Sequence, residues 1–137
     1  MTESKFTAAL RLELREHIYV LKLNVAYARG VPDCYYSGSR SDLWNEHKYF
    51  KTLPPVIELT KPTITSMLQQ TWLIGRHHEG RNVAMVIGST EGHLLLRGLE
   101  WQKPIARDDF RERAVTKKEL ASEIIDLLGP IDGAILP

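Results

Sequence analysis

The chain has a single cysteine among its 137 residues. It can therefore form no disulfide within itself and no zinc site based on cysteine ligands. It also lacks any apolar run close to the roughly 18–20 residues that a membrane-spanning helix needs, and its first residues lack the basic-then-apolar order of a signal peptide. We expect a cytoplasmic protein that has no membrane partner and uses Cys34 as a small strand residue.

The chain also lacks an excess of either charge. Its formal net charge is +1, so any surface that faces nucleic acid must be local. The sequence has no internal repeat or low-complexity segment, and the segment 88–92 lacks the spacing and lysine of a phosphate-binding P-loop. With 43% hydrophobic and 26% charged residues, the composition is typical of a globular protein, and the length predicts a single domain over 1–137.

Apolar periodicity and turn residues predict the order of the elements. We expect a helix over 3–16, a strand over 17–24, a hairpin with strands over 33–37 and 42–48, a helix over 64–77 capped by Thr63, strands over 81–87 and 93–98, and a helix over about 116–128. Three prolines predict a loop over 49–62. The segment 99–115 is irregular and basic, and the tail 131–137 is expected to be loosely attached. This order predicts an α/β fold in which helices flank a mixed central sheet.

The hairpin carries a group of charged residues. If its turn is centred between Ser39 and Arg40, Asp33 lies directly opposite Glu46, and opposed residues have Cβ atoms about 4.5–5.5 Å apart. Two carboxylates placed in this way can share one hard divalent cation. Lys48 follows Glu46 by two residues and therefore lies on the same face. A surface cluster of salt bridges, worth about 0–1 kcal/mol, is the alternative interpretation.

The sequence Pro32-Asp33, followed by Glu46-His47-Lys48, resembles the PD-(D/E)XK nuclease superfamily. The segments 30–33 and 42–48 look most like the small phage-type and VRR-type members, and Gln69 followed by Trp72-Leu73 resembles the Gln-x-x-Trp-Leu element of the same families. The resemblance covers roughly residues 10–97. It implies a restriction-endonuclease-like core, here over about 5–97, followed by a C-terminal extension. If the protein is phage-encoded, the expected compartment is the host cytoplasm.

The resemblance also implies a role for each site residue. Asp33 and Glu46 would hold Mg²⁺, for which Mn²⁺ could substitute, together with the backbone carbonyl of His47. Lys48 would orient the attacking water or stabilise negative charge, and Gln69 would position the water or a phosphate. In this family an acidic residue of the first helix sometimes joins the metal site, and the candidates here are Glu16 and, less strongly, Glu13.

The leading functional hypothesis is a Mg²⁺-dependent endonuclease that hydrolyses phosphodiester bonds in DNA. A noncatalytic module that binds nucleic acid or a partner on the same fold is the alternative. A narrower form of the first hypothesis is a Holliday-junction-type resolvase, which requires a homodimer that presents two sites. The sequence leaves open DNA versus RNA, sequence preference, nicking versus double-strand cleavage, and oligomeric state.

Two sets of residues are candidates for contact with nucleic acid. Arg76 and Arg81 could contact phosphates, as could the basic residues of the segment 99–115. Tyr35 and Trp44, which the hairpin register places opposite each other on the face of the carboxylates, could stack on exposed bases, although aromatic residues in strands mostly pack in cores.

Overall fold

The computed structural model describes residues 2–23 and 30–131. Its helices are α1 (Glu3–Leu14), α2 (Met67–His78), α3 (Arg107–Arg113) and α4 (Lys117–Leu128), and its strands are β1 (Tyr19–Lys22), β2 (Cys34–Ser37), β3 (Asp42–Phe50), β4 (Val56–Ile57), β5 (Val83–Ser89), β6 (Gly92–Arg97) and β7 (Ile105–Ala106). A single 3₁₀ turn over Glu100–Gln102 precedes β7. None of the helices in these two ranges is both long and apolar enough to cross a membrane.

The central sheet has five strands in the order β1-β2-β3-β5-β6. The β3–β5 pair is parallel and the other three pairs are antiparallel, while β4 and β7 form a separate two-stranded ribbon. The predicted α/β fold with a mixed central sheet is therefore confirmed. β5 is buried along its whole length because helices cover both faces of the sheet.

Two apolar clusters hold these helices on opposite faces of the sheet. On one face α1 and α4 pack together through Phe6, Leu10, Leu14, Leu120, Ile124 and Leu128. On the other face α2, α3 and the 3₁₀ turn contribute Leu73, Phe110 and Trp101. Successive residues of β3 alternate between the two clusters, so Leu43 faces α1 and α4 whereas Trp44 faces α2.

The hairpin turn between β2 and β3 is held by the C-terminal end of α4. The backbone N–H groups of Ser39 and Arg40 donate to the carbonyls of Gly129 and Leu128, both at 2.8 Å. The pairs in the ladder, such as Cys34↔Asn45 and Tyr35↔Trp44, show that the turn is centred between Ser39 and Arg40, as predicted. The register of the hairpin is therefore fixed both by its turn residues and by α4.

Gly38 makes the close approach of this turn to α4 possible, because a Cβ there would lie 2.3 Å from the carbonyl oxygens of Leu128 and Gly129. We expect Gly38→Ala to lower the free energy of unfolding by about 1–3 kcal/mol, since the clash is with backbone that cannot move aside easily. Urea unfolding measures this difference. Gly75→Ala is the control, since nothing lies within 4 Å of a Cβ at that position, and an equal loss in both variants would contradict the argument.

Several predicted boundaries were wrong. α2 starts at Met67 with Ser66 as its N-cap, not at Ile64 with Thr63, because the backbone over Lys61–Thr65 forms a separate turn. β4 lies inside the segment predicted as a loop, and β7 and α3 lie inside the segment predicted as irregular. These elements have two to seven residues, too short for hydrophobic periodicity to show.

The ends of two predicted segments fall outside the described residues. β1 is Tyr19–Lys22, shorter than the strand predicted over 17–24, and residue 24 is not described. Within the tail predicted to be loose, the structure describes only Ile131, whose N–H donates to the carbonyl of His17 at 2.8 Å. α4, which was predicted as part of an extension, is packed into the core against α1.

Candidate active site

Asp33 lies one residue before β2, and the register of the β2–β3 ladder, extended by one pair, places it opposite Glu46 on β3. The β2–β3 ladder ends at Cys34↔Asn45, whereas β3 continues to Phe50. The edge of β3 beyond Asn45 is therefore free to bond a side chain, and Asp33 Oδ2 accepts a hydrogen bond from the His47 N–H at 2.9 Å. The carboxylate of Asp33 is thus fixed beside the backbone of β3 at the level of Glu46.

Glu46 is buried, with an exposed fraction of 1%. Its Oε2 accepts a hydrogen bond from Gln69 Nε2 at 2.8 Å and forms an ion pair with Lys48 Nζ at 3.0 Å. Its Oε1 is buried and has no hydrogen-bond partner among the described residues. A buried carboxylate oxygen without a partner is energetically costly, so this atom is the one that a bound ligand would satisfy.

Gln69 is oriented by the start of α2. The Ser66 hydroxyl accepts from the Gln69 N–H, and Gln69 Oε1 accepts from the Ser66 N–H, both at 3.2 Å, which is a capping box. With Oε1 held in this way and 3.4 Å from Lys48 Nζ, the amide Nε2 points at Glu46. The structure therefore brings Glu46, Lys48 and Gln69 into direct contact.

The pKa of Glu46 is raised to about 7, mainly by burial and secondly by the nearby carboxylate of Asp33. The charge of Lys48 and its hydrogen bond act in the opposite direction and lower the pKa of Glu46. The carboxyl therefore changes charge near neutral pH, which is a property that functional sites often show.

The raised pKa of Glu46 has a consequence for stability. Because the folded protein holds this proton more tightly than the unfolded chain, whose pKa is near 4.5, the stabilising effect is complete below pH 4.5 and is lost as the pH rises to about 7. We expect the free energy of unfolding of the wild type to fall by about 1–3 kcal/mol relative to Glu46→Gln over this window.

Urea unfolding of both proteins at several pH values tests this expectation. The comparison with Glu46→Gln is needed because His47, whose pKa burial lowers to about 3, gives the opposite dependence: its stabilising effect is lost as the pH falls from 6.5 to 3. A difference between wild type and Glu46→Gln that stays constant from pH 4.5 to 7.5 would contradict the raised pKa.

Glu3, at the start of α1, is a site residue that the sequence did not identify. It lines a small cavity of about 110 Å³ together with Asp33, Arg11 and Lys22. Partial desolvation raises the pKa of the Glu3 carboxyl, Lys48 lowers it and Asp33 raises it further. Glu3 is thus a third carboxylate within electrostatic reach of the pair.

Neither Glu16 nor Glu13 lies near Asp33, where the resemblance had suggested an acidic residue of the first helix. Glu16 follows the last turn of α1, and at 1.5 Å per residue it lies about 18–20 Å along the axis from Glu3. Glu13 faces Lys117 of α4, with the charged atoms 3.9 Å apart. The position of Glu3 depends on how α1 packs on the sheet, so the only signal in the sequence was an acidic residue in the first turn of a predicted helix.

The oxygen atoms at this site fit a hard divalent ion. In the described part of the chain no three His, Cys, Asp or Glu side chains form a metal-binding group, but Mg²⁺ is usually held by one or two carboxylates and keeps several waters. The unpartnered Oε1 of Glu46 and the carboxylate of Asp33 would supply those ligands. Glu3 lines the same cavity as Asp33.

His47 has its side chain on the opposite face from Glu46. Its ring lies 2.9 Å from the Tyr36 hydroxyl and packs against Phe6 of α1 at 5.8 Å between ring centroids. The N–H and C=O of one strand residue point to the same edge. Since the His47 N–H reaches Asp33, its carbonyl also faces that side, where it could act as the predicted backbone ligand.

The candidates for contact with nucleic acid occupy two regions. Tyr35 and Trp44 lie opposite each other, as the register predicted, with ring centroids 4.5 Å apart. Arg76 lies over the ring of Trp72 at 5.5 Å and pairs with Glu79 at 3.0 Å. Arg81 is exposed and lines a different cavity of about 500 Å³ at the opposite end of α2 from Gln69.

The basic residues of the segment 99–115 are tied largely to neighbouring groups. Arg111 pairs with Glu91 at 2.7 Å and Arg113 pairs with Glu100. Arg107 donates to the carbonyl of Leu53 at 3.4 Å. These partners make the three side chains weaker candidates for phosphate contacts than the sequence suggested.

The fold is similar to that of a solved nuclease. It matches the Holliday junction resolvase Hjc from the archaeal hyperthermophile Archaeoglobus fulgidus with a TM-score of 0.58 and 15% sequence identity, over 86% of this chain and 98% of that chain. No protein-family model matches the sequence, and no curated protein matches it. The phage-type or VRR-type subfamily, the compartment and the dimer stay predictions. The chain thus has the restriction-endonuclease-like fold that its Pro-Asp and Glu-x-Lys motifs predicted.

Proposed function

We propose that this protein is a metal-dependent endonuclease that hydrolyses phosphodiester bonds in DNA. The observation that carries the proposal is the buried Glu46. Gln69 and Lys48 contact its Oε2, while its Oε1 has no hydrogen-bond partner within residues 2–23 and 30–131. Asp33 is fixed beside β3 by the hydrogen bond that its carboxylate accepts from the His47 N–H. A surface salt-bridge cluster does not require this arrangement, because a buried charged group without full compensation destabilises the fold.

Each residue has a distinct task in this proposal. Asp33, Glu46 and the His47 carbonyl would hold Mg²⁺ or Mn²⁺, and such an ion would lower the pKa of a bound water and neutralise charge on the phosphate. Lys48 Nζ stabilises the negative charge that develops on the phosphoryl oxygens. Gln69 keeps Glu46 and Lys48 in place, and Glu3 accepts a hydrogen bond from the attacking water.

Branched DNA is the substrate we propose within this class. The support is the similarity in fold to Hjc, which is described as a Holliday junction resolvase. Resolution of a four-way junction needs one cut in each of two strands, so this version of the proposal requires a homodimer.

Incubation of the purified protein with supercoiled plasmid and with a four-way junction, with Mg²⁺ or with EDTA, tests the proposal. We expect nicked or linear product only with the metal. Mn²⁺ should replace Mg²⁺, whereas Ca²⁺ should support binding but not cleavage. Retardation of DNA on a gel without cleavage in any metal would refute the endonuclease and favour the noncatalytic binding module.

A further inference from the structure

Three aromatic side chains and one arginine form a continuous row beside the candidate active site. Tyr35 packs on Trp44 with ring centroids 4.5 Å apart, and Trp44 packs on Trp72 at 5.3 Å. The guanidinium of Arg76 lies 5.5 Å from the Trp72 ring. All four residues are partly exposed, and we call this set the aromatic row.

The aromatic row runs parallel to the candidate active site because the same three elements carry both. Asp33 lies one residue before β2 and Tyr35 follows two residues later on that strand, while β3 carries Glu46 and, two residues earlier, Trp44. Residues two apart share a face and are separated by about 7 Å.

α2 repeats this arrangement. Gln69 contacts Glu46, and Trp72, three residues later and therefore adjacent on the helix surface, contacts Trp44. On each strand the aromatic residue lies two residues from the carboxylate, and on α2 Trp72 lies three residues from Gln69. The aromatic row therefore lies directly beside the candidate active site.

The rings of the aromatic row are held in place before any ligand binds. The Tyr35 hydroxyl donates to Asp42 Oδ2 at 2.5 Å, and the two tryptophan rings fix each other edge to face. Arg76 is held by Glu79 as well as by Trp72. Rigid, partly exposed aromatic surfaces bind with little loss of conformational entropy.

We propose that the aromatic row binds unpaired nucleobases that flank the phosphate to be cleaved, so that the enzyme selects DNA with single-stranded or branched segments. This inference rests on the proposed endonuclease function. Aromatic side chains stack on bases of single strands whatever their sequence, whereas the base faces of a duplex are covered by neighbouring base pairs. Arg76 adds a cation that favours a polyanionic strand.

A second copy of the chain fits the aromatic row less well. The core of a protein interface is depleted in charged residues, but this row is bordered by Asp42 at Tyr35 and by Arg76 at Trp72. A strand of DNA provides both flat apolar surfaces and phosphates, which match the alternation of rings and charge.

Binding in EDTA by fluorescence anisotropy tests the proposal. The probes are a duplex with a short single-stranded flap, the same duplex with an abasic flap, and a blunt duplex. The abasic flap keeps the phosphates and removes the bases. We expect the wild type to bind the normal flap at least about fivefold more tightly than the abasic flap, since one stacked base is worth about 1–3 kcal/mol. Trp72→Leu should bring this ratio near one, and Trp72→Phe should keep most of it.

The control variant is Leu12→Ala, which removes an exposed apolar side chain of α1 outside the row and should leave the ratio unchanged. Tryptophan fluorescence should be quenched on flap binding through Trp44 and Trp72, since Trp101 is fully buried. A ratio of one in the wild type, or an equal ratio in Trp72→Leu, would overturn the proposal. The proposal would also be overturned if the wild type were a dimer and Trp72→Leu dissociated it without changing the ratio of the two flap affinities.

The two proposals can fail separately because this binding needs no metal. A high flap ratio without cleavage in the plasmid assay would refute the endonuclease and keep the base-binding surface. Cleavage of plasmid together with equal affinities for the normal and abasic flaps would support the endonuclease and refute the base-binding surface.

Discussion

Asp33→Asn and Lys48→Met should each reduce metal-dependent DNA cleavage by at least about a hundredfold, the loss typical when one preorganised electrostatic group is removed. Both changes keep the approximate size of the side chain. The asparagine side chain can still accept the hydrogen bond from the His47 N–H, and the methionine keeps most of the apolar stem of Lys48, which is 8% exposed. The loss would therefore reflect charge rather than unfolding. Initial rates of plasmid nicking at saturating Mg²⁺ measure it.

Asp109→Asn and Lys118→Met make the same chemical changes at exposed positions away from the site. Both controls should cleave at the wild-type rate. Magnesium titration by calorimetry separates the two roles, since Asp33→Asn should weaken metal binding whereas Lys48→Met should strengthen it or leave it unchanged. Wild-type cleavage by either site variant would remove that residue from the mechanism.

Phe6→Ala and Phe110→Ala should each lower the free energy of unfolding by about 3–5 kcal/mol, the usual cost of removing a buried aromatic ring. Phe6 is 1% exposed and Phe110 is 0% exposed, but they lie in the clusters on opposite faces of the sheet. Phe6 belongs to the helix that carries Glu3, and its ring packs against His47 and stacks on His93. Phe110 belongs to α3 on the other face.

We therefore expect substitutions at Phe6 and Phe110 to differ in their effect on cleavage activity, even though their effects on stability are similar. In the milder variants Phe6→Leu and Phe110→Leu, assayed well below their melting temperatures, we expect cleavage to fall several-fold only for Phe6→Leu, because a less firmly packed α1 no longer holds Glu3 near Asp33. Thermal melts confirm that both variants are folded. Equal activity in the two would argue against a role for α1 in the site.

The hairpin and its register could be predicted because they depend on local chemistry. The residues Gly38 to Ser41 favour a tight reversal, and strand residues alternate strictly, so a centre between Ser39 and Arg40 brings Asp33 opposite Glu46. The structure confirms that register. The site roles of these residues stay predictions.

Other parts of the site, namely the start of α2 and the position of Glu3, depend on signals that are weak or missing in a single sequence. The sequence Ser66-Met67-Leu68-Gln69 contains the Ser-x-x-Gln form of a capping box, which could have placed the start of α2 correctly. Ile64 is apolar and fits the helical periodicity, so the predicted helix was extended toward the N-terminus and the capping box at Ser66 was missed. Glu3 could not have been chosen over Glu16, because only the packing of α1 on the sheet decides which end of the helix meets Asp33.

The attachment of the hairpin turn to Leu128 and Gly129 has a consequence for biosynthesis. The two acidic side chains are made early, but the carbonyls that hold their hairpin turn come much later in the chain, at the end of α4. A nascent chain that stops before this point leaves the N–H groups of Ser39 and Arg40 without their partners. We therefore expect the proposed hydrolytic centre to form fully only after α4 has been synthesised and has left the ribosome.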